Sequence, residues 1–194
     1  MCVYVVKNKK TNNNKIMFGF FKKKKLKSLL RQNERKHAFL SMDAIHSVLV
    51  LFETNNYESV DLFVEKLLEM GKSVDGYAFR VKDDVFDYSE TNYTIVSHKE
   101  NSDKLGNPDK ELLKQLQFRH YDVVIDLTVK ENFSLQCILA TVNATMTVGL
   151  KKNKLPFYDF SISKLPKPKG HESSLVRELI KSITFYLQTI KGAR

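Results

Sequence analysis

The chain has 194 residues, 42% of them hydrophobic and 28% charged, which places it among globular proteins and away from disordered or membrane-spanning classes. No apolar run reaches the roughly 20 residues needed to cross a bilayer, and the early "CVYVV" is cut short by "KNKKTNNNK" with no cleavage site, so no signal peptide is read. With only Cys2 and Cys137 there is no disulfide framework, and a cytoplasmic location is the expectation.

The net charge of +10 is unevenly distributed. Residues 1–40 carry twelve Lys or Arg against Glu34 alone, giving +11, and the remaining chain has twenty basic and twenty-one acidic residues, giving −1. A nucleic-acid-binding groove across the body is therefore not expected, and the positive charge acts from the N-terminal arm. Residues 1–16, rich in Lys and Asn, offer little apolar surface to offset chain entropy and are expected to be disordered.

Residues 17–40 form a basic amphipathic arm. Phe18, Phe20 and Phe21 stand beside Lys22, Lys23, Lys24 and Lys25, and Leu26, Leu29 and Leu30 follow at helical spacing. An aromatic wedge beside a polybasic run suits an anionic membrane surface at the inner face of the cell membrane, or a protein partner. The other reading is a solvated charge run on a helix that docks on the body through its leucines.

The body, residues 41–194, alternates strand and helix. "HSVLVLF" (His46–Phe52) has the unbroken apolar pattern of a strand covered on both faces. The helix "YESVDLFVEKLLEMG" follows, with Val60, Phe63, Val64, Leu67 and Leu68 on one face and Gly71 as its C-terminal cap. "KSVDGYAFRV" and "YTIVSH" read as strands, and "GNPDKELLKQLQF" as a helix capped by Asn107 with Pro108 in its first position. "YDVVIDL" repeats the buried-strand pattern and should lie parallel beside the first strand. "ENFSLQCILATVNA" is a helix with Phe133, Cys137, Ile138 and Ala140 or Thr141 toward the core; "TMTVGL" and "FYDFSI" are strands, "LPKPKG" a linker, and "ESSLVRELIKSITFYLQTI" a closing amphipathic helix. The alternation predicts an α/β fold, a three-layer domain with a mostly parallel sheet.

The stretch "RHYDVVIDLTVKENFSLQCILATVNATMTVGLKK" resembles the second half of the N-terminal Rossmann-like domain of heptosyltransferase-type glycosyltransferases, and "HESSLVRELIKSI" is similar to the helix that follows there. From Met17 onward, with "FFKKKKLKSLLR" and "IHSVLVLFET", the chain also resembles a family of Bacteroidetes-type proteins known as a domain of unknown function. The first resemblance implies a Rossmann-like fold. It does not carry the reaction across, because the first strand runs into "ETNNYESVD" where those enzymes have a Gly-Asp loop.

No dinucleotide fingerprint, phosphate-binding P-loop or nucleophile elbow occurs, so no catalytic residue and no cofactor is assigned. The five histidines have no metal-ligand spacing. Topology leaves one candidate: a crevice at the carboxyl ends of the first and fourth strands, lined by Glu53, Thr54, Asn55 and Asn56 from one loop and Asp126, Thr128 and Lys130 from the other. Asp126 equally fits a cap that ends a strand. The resulting expectation is a non-catalytic binding or scaffold domain held by its basic arm; the alternative is a degenerate glycosyltransferase-like sugar-nucleotide-binding domain.

Overall fold

The computed structural model describes residues 10–82, 84–85, 87–97, 107–165 and 172–190, with the side chains of 10–18 and 172–174 outside the description. Six strands form one sheet: β1 (Ser47–Glu53), β2 (Ser73–Phe79), β3 (Tyr93–Val96), β4 (His120–Asp126), β5 (Asn143–Leu150) and β6 (Phe160–Ile162). Their order is β3-β2-β1-β4-β5-β6 and every pairing is parallel, a Rossmann-like arrangement. β1 and β4 are central neighbours as expected, with Val48 opposite Val123 and Leu51 opposite Asp126. The strand order reverses between them.

The alternation along β1 sends Val48, Val50 and Phe52 to one face, where α2 (Tyr57–Glu69) and α5 (Glu172–Thr189) cover them. Leu49 and Leu51 point to the other, under α3 (Lys110–Phe118) and α4 (Phe133–Thr141). α2 buries Val60, Phe63, Val64 and Leu67 as anticipated and ends at Gly71, whose φ of 75° explains the glycine. Leu68 departs from the expectation: it is 53% exposed, lying just past the edge of the buried stripe. The start of α3 also differs. Asp109, two residues beyond the anticipated cap, accepts from the Glu111 amide, because the Asn107 side chain is already engaged by Lys25 Nζ at 2.6 Å.

The arm is the largest difference. A single helix, α1 (Lys10–Gln32), replaces the expected boundary at Met17, since a helix already nucleated gains one hydrogen bond for each residue added. Residues 1–9 of the anticipated tail lie outside the described residues. α1 packs on the outer side of α4. Leu26 is buried, Leu29 and Leu30 pack against the same core, and every side chain of α4 from Ser134 to Thr141 is buried, not only the face anticipated. α4 has no exposed side over these residues because α1 packs on the side that the sheet leaves open.

The chain between α1 and β1 is stitched to the end of α4 and to β5. Asn33 Nδ2 donates to the carbonyls of Ala140 (3.1 Å) and Val142 (2.9 Å), and the Ala38 amide donates to Thr145 O at 3.2 Å. β6 pairs only with Val148–Leu150, so this segment occupies the edge of β5 that β6 leaves open. The docking makes Leu26 a core residue. Leu26→Ala is expected to lower the unfolding free energy by about 2–5 kcal/mol in urea titration, and Leu68→Ala to change it by less than about 0.5 kcal/mol.

Candidate functional site

At the switch point the two loops after β1 and β4 have different fates. Asp126 is buried and fully engaged: Oδ1 accepts from the Thr128 amide (2.8 Å) and hydroxyl (2.6 Å), and Oδ2 accepts from Lys152 Nζ (2.7 Å) and the Tyr158 hydroxyl (2.6 Å). The Lys152 and Asp126 side chains are only 6% and 3% exposed, and Lys152 also donates to the Thr128 carbonyl at 2.9 Å. Asp126 is thus both the turn-former anticipated at a strand end and half of a buried ion pair. Burial first, then the charge and hydrogen bond of Asp126, hold the Tyr158 phenol well above its usual range, so it stays a neutral donor.

Tyr158 reaches Asp126 because Gly149 has no side chain. A Cβ there would lie 2.5 Å from Tyr158 Cε1. Gly76, with the Tyr93 ring against it, is a second such place, and Tyr93 donates to Asp61 of α2 at 2.7 Å. Lys152 and Tyr158 escaped the sequence reading. The signals present were a lysine just beyond a buried strand and a glycine within that strand.

The β1 side stays open. A pocket of about 480 Å³ is lined by Thr54, Asn55, Asn56, Tyr57, Glu58, Ser59, Tyr88 and Arg177. Thr54 is buried, its Oγ1 accepting from the Val81 amide at 3.2 Å. Asn56 is buried too; its Nδ2 donates to Asn55 Oδ1 at 2.8 Å and its own Oδ1 has no partner. Arg177 of α5 donates to Ser59 Oγ at 3.0 Å. Glu53 turns away to accept from Asn132, the cap of α4, at 3.3 Å. Thr128 belongs to the Asp126 cluster and Lys130 is exposed, so neither they nor Asp126 line the pocket. The single crevice anticipated is divided, because the ion pair fills its β4 side.

The arm divides as well. Lys22 lies 4.6 Å over the Phe133 ring and Lys25 bonds Asn107, so both face the body. Phe20, Phe21, Lys23 and Lys24 are exposed, and the Phe18 side chain lies outside the described residues. Beyond α1, Arg35 Nη1 donates to Asp159 Oδ2 at 2.8 Å, Nη2 to Thr147 Oγ1 at 3.0 Å, and the Thr147 amide donates to the same Asp159 oxygen at 2.8 Å. His37 Nδ1 pairs with the other oxygen of Asp159. Burial pushes the Asp159 carboxyl up, but the hydrogen bonds from His37 and Arg35 and the Arg35 charge outweigh it and hold it below the usual carboxylate range. Among the described residues no three His, Cys, Asp or Glu side chains gather where a metal ion could sit, and no helix is long and apolar enough to cross a membrane.

Two outcomes follow. Lys152→Met leaves the buried Asp126 carboxylate unpaired and should lower stability by about 3–5 kcal/mol in denaturant titration, with much of the loss recovered in Lys152→Met/Asp126→Asn. Asp159, whose folded pKa is depressed, stabilises the fold above its unfolded value of about 3.9 and loses that contribution as pH falls through the folded value. Asp159→Asn should therefore melt lower at pH 7 and show a shallower fall in Tm below pH 4. Asp122 contributes in the same direction: burial raises its pKa, but the His46 and Ser47 amides more than offset this and lower it.

No curated protein and no solved structure matches the chain. The model of a family of unknown function, DUF6913, matches residues 19–190, a span that takes in the carboxyl-terminal part of α1, the whole sheet and all of α5, and the chain belongs to that family.

Proposed function

We propose that the protein is a non-catalytic Rossmann-like binding domain that seats on an anionic membrane surface through the outer face of α1. The observation that carries this reading is the exposure of two aromatic rings on an otherwise anchored helix. Phe20 and Phe21 are 67% and 59% exposed and stack edge to face at 6.3 Å, while Leu26, Leu29 and Leu30 hold the opposite side on the body. Phe20, Lys24, Lys27 and Arg31 recur at helical spacing, and Lys23 and Ser28 flank them in one surface groove. Rings of this kind enter the interface, and each lysine adds about 1 kcal/mol near anionic headgroups.

The buried Asp126–Lys152 pair supports the non-catalytic part of the reading, since it ties up the acidic side chain at the switch point. Lys24→Gln/Lys27→Gln/Arg31→Gln should leave Tm nearly unchanged and weaken co-sedimentation with phosphatidylglycerol-containing vesicles by about 100-fold, the three charges amounting to roughly 3 kcal/mol. Phe20→Ser/Phe21→Ser should keep the fold and weaken binding even at low salt. A wild-type chain that ignores such vesicles at low ionic strength sinks the reading, and a protein partner would then be the occupant of that face.

A second reading, a degenerate glycosyltransferase-like domain that binds a sugar nucleotide, draws on the open pocket beside β1, with Arg177 and the unpartnered Asn56 Oδ1 at its wall. A saturable rise in Tm with a nucleotide sugar, lost in Arg177→Ala, would favour it.

A further inference from the structure

A second pocket, of about 540 Å³, lies between α1 and the amino-terminal end of α4. Lys22, Lys23 and Leu26 of α1 form one wall, Phe133 and Gln136 of α4 the floor, and Lys154 and Leu155 from the loop after β5 the far side. Three lysines line it against one carboxylate, Glu131. The deciding group is Gln136. It is only 6% exposed, and its Nε2 is buried with no hydrogen-bond partner.

A buried donor left unpaired costs on the order of 1–3 kcal/mol, and a polar group of this kind is ordinarily satisfied by something that occupies the site. The surrounding charge defines that occupant as an anion, and the start of α4 adds the positive end of a helix dipole. The anion's type follows from the charge balance. Three ammonium groups against one carboxylate leave two positive charges, which a phosphate monoester matches with about −1.5 to −2 at neutral pH on three acceptor oxygens, whereas a carboxylate supplies a single charge. Leu26, Phe133 and Leu155 supply an apolar lining for the organic portion.

We infer that this pocket binds a phosphate monoester, its phosphate held by Lys22, Lys23, Lys154 and the Gln136 amide. The site shares only Lys23 with the outer groove of α1 and stands whether or not that groove meets a membrane. A phosphate monoester reaches it either as a free compound or as a lipid headgroup.

The test uses the full chain and thermal unfolding at constant ionic strength, with glycerol 3-phosphate as the soluble probe. A saturable rise in Tm is expected, with the apparent affinity falling roughly tenfold in Gln136→Leu and in Lys154→Gln, the loss of one charge-assisted hydrogen bond, and unchanged in the outer-face control Lys27→Gln. Gln136→Leu removes an unpaired buried group while keeping the volume, so its own Tm should not fall. In a second arm, phosphatidic acid vesicles are compared with phosphatidylglycerol vesicles of matched surface charge. A preference for phosphatidic acid that Gln136→Leu abolishes identifies the headgroup as the source, and soluble binding without that preference identifies a free compound. The inference is overturned if neither the saturable shift nor the preference is seen, or if Lys27→Gln loses as much affinity as Lys154→Gln.

Discussion

The structure depends on a helix buried all round. α4 lies on the sheet through one side, and a three-layer arrangement would leave its other, largely apolar side in water. α1 answers this as a fourth layer, with Leu26, Leu29 and Leu30 closing over α4. The basic arm is thereby part of the fold, and the match of the family to residues 19–190 includes that part of it. Once the leucine side is committed, rotation of the helix is fixed. Which lysines meet the body and which meet solvent is then a matter of geometry, with Lys22 and Lys25 turned inward, Lys24, Lys27 and Arg31 outward, and Lys23 between them, bordering both grooves.

Two aspartates, Asp126 buried and Asp159 partly so, hold the C-terminal half of the sheet to its surroundings. Asp126 joins the end of β4 to Lys152 and Tyr158, and Asp159 joins the start of β6 to Arg35, His37 and Thr147. Each has its oxygens satisfied by several donors, the condition under which a buried carboxylate is tolerated. Both are spent on connecting segments distant in sequence. The Asp159 cluster fixes the path of the chain leaving α1, and so stabilises the same presentation of α1 that the leucines set up.

The sequence by itself determined the strand and helix order, the parallel pairing of β1 with β4, the helix cap at Gly71 and the confinement of excess charge to the first forty residues. These are legible because they rest on local periodicity, on a backbone angle that favours glycine and on simple composition. The end of α2's buried stripe and the start of α3 were missed by one or two residues, since Leu68 lies just past the edge of that stripe and Asn107 is drawn off by Lys25. Tertiary structure alone decided how the candidate site divides. Asp126 closes one buried strand and Asn56 follows another, and neither position reveals in sequence what it will meet. One meets Lys152 and Tyr158 and is closed; the other meets an open pocket. The same is true of Gln136, which reads as an ordinary residue within an apolar helix until α1 and Lys154 are folded around it. Partners separated by tens of residues leave no periodic trace in the chain, because which of them meet is fixed by the order of strands and the rotation of helices, not by neighbours in sequence.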